Sequence, residues 1–409
     1  MRLMKRRLAI GLMGVIIGSA MLLSGCRLAQ SAANTQAEAA APVAVQVPKP
    51  LRPRVLIHRD LRLKREHFGR IRFSPDRAHF LITGPYSPTI DIFRTAGPQH
   101  VTTIHLKHGQ SSHLETDFVS NDQLFANLEY ALFQVYRVPD GIKTFEYQFE
   151  RNNDPIFANR EVALSGESLL YWQSGQTYTI PWVGPTVAYL GVTQDNAVLT
   201  EGGNPWIREE NPVTGRKVDW ETTGQRRVEY FMSTPDHRYL VTVNFDGACA
   251  VWRRGDKPEL VGRCGDSQGN KAIEYGEFSG LPDQYQFATT AGNRVRAYRI
   301  DPATGVPHQF FDQDMSAPVM SVALNANGRL AVSLFDEATR RTGVEVWDIA
   351  GRRPIARYMT ESYELARQTM DGIDLKFRVK TVFHELGFSA DGKLLLAIAG
   401  QSLLAFDVP

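Results

Sequence analysis

Histidines are the first residues to weigh for chemistry, and the densest group of them is "HLKHGQSSH", with His105, His108 and His113. At that spacing imidazoles can gather around a transition metal. No cysteine adjoins them and the nearby carboxylates are scattered, so a polar loop is the plainer reading and no cofactor is expected. In "FHELGF", Phe383 to Phe388, His384 and Glu385 lack a second histidine four residues on, and the segment reads as a strand. Asp312 and Asp314 in "FFDQDMS" are two carboxylates that can approach a cation, but such a pair in a polar turn is ordinarily solvated. There is no Gly-x-Ser-x-Gly nucleophile turn, no phosphate-cradling P-loop and no EF-hand calcium loop. An enzyme is therefore the less favoured class, although sites assembled from scattered loops leave no linear motif.

Sulfur is more informative. The chain has three cysteines, Cys26, Cys249 and Cys264. Cys249 lies in "ACAVWRR" and Cys264 ends "ELVGRC", and a hairpin symmetric about these two positions has its centre between Asp256 and Lys257. That centre falls inside "RGDKPE", where the composition already marks a turn. Directly opposed residues of antiparallel strands have β-carbons about 4.5 to 5.5 Å apart, close to what a disulfide needs. The pairing Cys249–Cys264 is expected if the chain reaches an oxidising space, and two buried thiols are the alternative.

The third cysteine bears on location. Arg2, Lys5, Arg6 and Arg7 precede the apolar run Leu8 to Leu23, which is the pattern of an export signal and too short for a comfortable membrane span. Leu23-Ser24-Gly25-Cys26 resembles the lipobox of bacterial lipoproteins. The resemblance implies cleavage before Cys26, acylation of its thiol and anchoring in a membrane leaflet. Arg27, rather than aspartate, implies sorting to the outer membrane facing the periplasm. The chain carries 46 lysines and arginines against 44 aspartates and glutamates; four of the basic residues lie in 1–25, so from residue 26 onward the balance is slightly acidic. Nucleic acid is accordingly not an expected partner. Residues 26–52, rich in Ala, Gln and Pro and without an aromatic residue, read as a flexible tether.

The elements that must position any site are short strands. From about residue 53 the chain alternates apolar and polar residues in sets separated by Gly, Pro, Asp, Asn and Ser. "GRIRFSPDRAHFLITG", "VEYFMSTPDHRYLVTVNFDG", "VMSVALNANGRLAVSLF" and "HELGFSADGKLLLAIAG" each open such a set. Third strands close on an aromatic residue at Phe93, Tyr136, Trp252, Tyr298, Trp347 and Phe406. Across 53–409 this pattern resembles WD40-like β-propellers, with "FSPD", "FSADG" and Trp347-Asp348 as the matching pieces. The turn "YRIDPATG" is similar to turns of the lactonase-related (YVTN) propellers. The resemblance implies an all-β fold of four-stranded antiparallel blades. The Gly-His dipeptide of many WD40 repeats is missing, so their Asp/His/Ser/Trp hydrogen-bond network does not carry over.

The interval of 116 residues from Tyr136 to Trp252 leaves the blade number open. It holds two strong hairpins, "EVALSGESLLYW" and "VAYLGVTQDNAVLTEGG", but only 14 residues between Trp172 and Val187 for a third and a fourth strand. Seven blades with an irregular third one are expected, with eight as the alternative. The last strand, "LLAFDVP", lacks a partner, which "RPRVLIHRD" at the start of the propeller can supply, closing the ring at its rim. The long link 360–380 is expected to hold a short helix, with Tyr363, Ala366 and Met370 on one face and Gly372 ending it. His108, His113, Tyr363, Arg367 and Met370 are the candidate binding residues. By resemblance of fold and location, the expected function is a membrane-anchored envelope scaffold that binds a protein partner; the alternatives are a lactonase-like hydrolase and a metal- or small-ligand-binding propeller.

Overall fold

The computed structural model describes residues 47–58, 70–83, 89–106, 115–128, 132–150, 156–180, 188–193, 195–201, 206–221, 228–244, 247–265, 278–370, 373–380, 382–400 and 402–409. The lipobox, Cys26 and the greater part of the tether lie outside them. Among the described residues no helix is long and apolar enough to cross a membrane.

Eight four-stranded antiparallel blades follow one another along the chain, at 70–105, 115–148, 156–179, 188–221, 228–264, 278–314, 319–361 and 383–407. The expectation of seven is thus corrected to the alternative of eight. Blade 3 accounts for the miscount. Its strands, Ile156–Ala158, Val162–Ser165, Ser168–Tyr171 and Gln176–Thr179, are only three or four residues long. "EVALSGESLLYW" is its second and third strand rather than its first and second, so one strand remains to be placed where two seemed necessary.

The expected helix is absent. Residues Tyr363–Met370 and Ile373–Lys380 form a two-stranded antiparallel hairpin. In "IDLKFRVK" apolar and charged residues alternate strictly, a period of two that no helix satisfies. Asp371-Gly372, between the strands in sequence, is a dipeptide favoured by two-residue hairpin turns. A helical spacing in the first strand had outweighed both signals.

Closure takes the expected form. Pro53–His58 pairs antiparallel with Ser402–Asp407, Pro53 opposite Phe406 and His58 opposite Ser402, so the two ends of the propeller share blade 8. Lys49–Pro50 adds a parallel strand outside the last strand of blade 7, and the Leu51 N–H donates to the Arg357 carbonyl at 2.9 Å. The Cys249–Cys264 disulfide is present with its half-cystines directly opposed in the ladder, 4.9 Å apart at Cα.

Each junction between neighbouring blades holds an apolar cluster, as alternation demands when both faces of a blade are covered. The 7/8 junction packs Val344, Val346, Phe383, Phe388 and Phe406. The turns between first and second strands repeat one device. The hydroxyls of Ser74, Thr193, Thr234 and Ser389 each donate to the aspartate two residues on and accept the N–H that opens the next strand. Hydrogen bonds from Ser389 and the Lys393 N–H hold the Asp391 carboxyl below the usual range. At Asp236 burial pulls upward, but hydrogen bonds from Thr234 and Arg238 prevail and bring it to about 2.

One junction adds charge to its apolar cluster. Between blades 4 and 5, Arg254 reaches Asp195 at 2.8 and 3.1 Å and Glu209 at 2.7 Å, and donates to the His237 carbonyl at 3.2 Å. The side chains of Arg254 and Glu209 are 3% and 1% exposed. Arg216 approaches Glu209 from the other side at 3.4 Å. Every charge in this group has an opposite one in contact, which is the condition for keeping ions inside a protein.

Candidate functional site: the axial wall

The first strands of neighbouring blades lie against each other at most junctions of the ring, so they form the wall of its axis. Most of their residues are apolar and serve the junctions. Among the described side chains, the charged exceptions gather on blades 8, 1 and 2.

Blade 1 contributes Arg70 and Arg72 from Arg70–Phe73, alternating with Ile71, which is buried in the 8/1 junction. Blade 2 contributes Asp117 from Glu115–Phe118, and blade 8 contributes His384 and Glu385 from Phe383–Phe388. Arg72 Nε lies 3.4 Å from Asp117 Oδ2, while the Phe118 N–H donates to Asp117 Oδ1 at 2.7 Å. Asp117 is 47% exposed, so it is partly enclosed by neighbouring protein. That enclosure raises its carboxyl above the ordinary range, against the pull of Arg72 and Arg70. Glu385 is raised in the same way, by enclosure first, with Arg72, Arg70 and His384 opposing. Two arginines thus stand between two carboxyls that hold protons more tightly than usual. Such a strip can bind a zwitterionic or charged peptide surface by paired hydrogen bonds.

Across the ring the described side chains are largely apolar, although Val228–Ser233 of blade 5 also carries Glu229. Tyr230, 37% exposed, stacks on Phe278 with ring centres 6.0 Å apart. Val192, Phe231, Met232, Phe278, Gly280 and Pro282 help line a cavity of about 290 Å³. A Cβ on Gly280 would stand 2.7 Å from Met232 Sδ, so the bare backbone there makes room for the thioether.

The residues singled out from sequence do not converge on this wall. His105 ends the fourth strand of blade 1 and is exposed, opposite Thr89; His108 and His113 lie outside the described residues. Tyr363, Arg367 and Met370 sit on the 363–380 hairpin, opposite Lys380, Lys376 and Ile373. Among the described residues, no group of three His, Cys, Asp or Glu side chains is placed to hold a metal. Asp312 accepts two hydrogen bonds of 2.7 Å from Arg294, an internal pairing rather than a solvated turn. The axial charges were missed because the strands that carry them belong to three different blades. The available signal was "RIRF", where charged residues alternate inside an otherwise apolar repeat.

Neither a family model nor a curated protein matches the chain. Solved structures do. The C-terminal WD40 domain of Sif2 superposes with a TM-score of 0.60 at 12% identity, covering 89% of this chain and 100% of that one. The structure of U3-55K superposes with a TM-score of 0.51 at 11% identity, covering 87% and 98%. At these identities the likeness concerns architecture, and with the eight blades described above it shows that this chain has the WD40-like β-propeller fold.

Proposed function

We propose that this protein is a lipid-anchored binding module of the bacterial cell envelope, exported by residues 1–25, acylated at Cys26 and held at the outer membrane facing the periplasm. Its propeller then presents the axial wall to a protein partner. The observation that carries the binding reading is the strip Arg70, Arg72, Asp117 and Glu385, where charged side chains from three blades gather on the axial wall and stay partly exposed. Propellers typically serve as interaction modules, but fold alone does not settle function, so the site has to carry the weight.

A photo-crosslinking residue in place of Arg72, with exposed Val213 as the control position, tests this in intact cells. A discrete adduct from position 72 and none from 213 supports the module. The same ladder from both positions, or no adduct from 72, refutes it. Cys26→Ala should release the protein from the membrane fraction, and unchanged partition would remove the anchor.

The raised carboxyls favour one second reading, a lactonase-like hydrolase, since a carboxyl that holds its proton more tightly than usual can act as a general acid. Lactone hydrolysis that disappears in Glu385→Gln would establish it. Hydrolysis unaffected by that change would exclude this site.

A further inference from the structure

A second cavity, of about 460 Å³, lies away from the axial strip where the turns of blades 8 and 1 face each other. Its size is within the range of small-ligand sites, roughly 300 to 1,000 Å³. Four cations line it, Arg54, Arg77, Arg94 and Lys393, with Asp76, Asp391 and Asp407.

The carboxylates are already engaged. Asp76 accepts from the Ser74 hydroxyl and the Ala78 N–H, Asp391 from the Ser389 hydroxyl and the Lys393 N–H, and Asp407 pairs with Arg54 at 3.0 Å. Arg77 is spent on the Phe388 carbonyl at 2.9 Å. Arg94 and Lys393 remain, both exposed at the rim. Arg94 holds a recurring position: the arginine that follows the aromatic residue of a third strand is neutralised by Asp140 in blade 2 and by Glu259 in blade 5. The corresponding turn in blade 1, Thr95-Ala96-Gly97-Pro98, offers no carboxylate.

Two buried polar atoms of the lining also lack a hydrogen-bond partner, Thr95 Oγ1 and His79 Nδ1. Thr95 is 5% exposed, and leaving such a group unsatisfied costs free energy. Ala78, Ala96, Pro98, Ala390 and Leu394 supply apolar surface between these groups.

We propose that this seam binds an acidic peptide segment. Carboxylates would meet Arg94 and Lys393, and aliphatic side chains would cover the small apolar residues. Arg54 belongs to the strand that closes the ring, so an occupant would touch both ends of the propeller.

The test uses the full chain in detergent and a fluorescent acetyl-hexaglutamate amide, followed by anisotropy, with a hexalysine peptide and inorganic phosphate as comparators. Saturable binding of hexaglutamate alone is expected. Arg94→Gln combined with Lys393→Gln should weaken it about tenfold or more, a loss of the order of two charge-assisted hydrogen bonds. Arg253→Gln, which removes an exposed cation from another seam, should leave it unchanged. No saturable binding, equal loss with Arg253→Gln, or displacement of the peptide by equimolar phosphate would each overturn the proposal. Loss with Arg72→Ser alone would return the peptide to the axial site.

Discussion

Two seams of the same ring solve one geometric problem in opposite ways. At the 4/5 seam Arg254 follows the third strand of blade 5, and at the 8/1 seam Thr95 follows the third strand of blade 1. The two positions correspond, since each N–H donates to the carbonyl just before the second strand, Arg238 in one case and Ala78 in the other. Arg254 fills its seam and ties Asp195 to Glu209. Thr95 fills nothing, and beside it a cavity remains with an unsatisfied hydroxyl. The closed seam is thus held by internal ions, whereas the open one keeps cations for something outside the chain. A repeat architecture permits this because each blade contacts only its neighbours, so one junction can change without disturbing the others.

The comparison is broken most severely by Arg254→Leu. It strands Glu209, 1% exposed, without its main partner, and breaking a buried pair from one side costs about 3 to 5 kcal/mol. Chemical denaturation should show that loss. A change below about 1 kcal/mol would mean that the seam is held by its apolar cluster alone.

Acid should act next, through the turn carboxylates beside the seams. Asp236, held at about 2 in the folded chain, contributes stability that is complete above the ordinary carboxylate range and disappears as pH falls through about 2. A melting profile should decline between about pH 4 and pH 2, and Asp236→Asn should flatten that decline. Glu385 works with the opposite sign, because its carboxyl is raised. Its contribution is present at low pH and fades as pH rises through the folded value, so Glu385→Gln should stabilise the protein at neutral pH and lose that advantage in acid.

The open seam should answer the reverse of the closed one. Thr95→Val removes an orphaned hydroxyl at nearly constant shape and is expected to stabilise the free protein by about 1 kcal/mol. Destabilisation would show that the hydroxyl has a partner after all. The smallest effect belongs to Arg94→Gln, within about 0.5 kcal/mol on stability, as for other exposed positions without a tie. Its consequence should appear in peptide binding alone.

The fold could be read from sequence wherever a local period and a turn agreed. First and second strands around "FSPD" and "FSADG", the opposed cysteines and the shared final blade all follow from alternation and hairpin arithmetic. Blade 3 could not be read, because strands of three and four residues carry too few alternations to fix which strand is which. The 363–380 hairpin was misread where one helical spacing competed with a clear alternation. The candidate site was nearly invisible. Arg72, Asp117 and Glu385 meet because three blades bring their first strands together, and nothing within any one strand signals the other two. The 8/1 seam has the same origin, with Arg54 and Arg94 joined only when the ring closes.

That closure is the claim on which both sites depend, and a cross-link measures it directly. His58 and Ser402 stand opposite each other in the ladder that joins the two ends. In a chain carrying His58→Cys and Ser402→Cys, with Cys249–Cys264 retained, mild oxidation should yield an intramolecular 58–402 disulfide, seen as a linked peptide by mass spectrometry. A folded protein with an intact 249–264 bridge and no 58–402 link would contradict the closed ring.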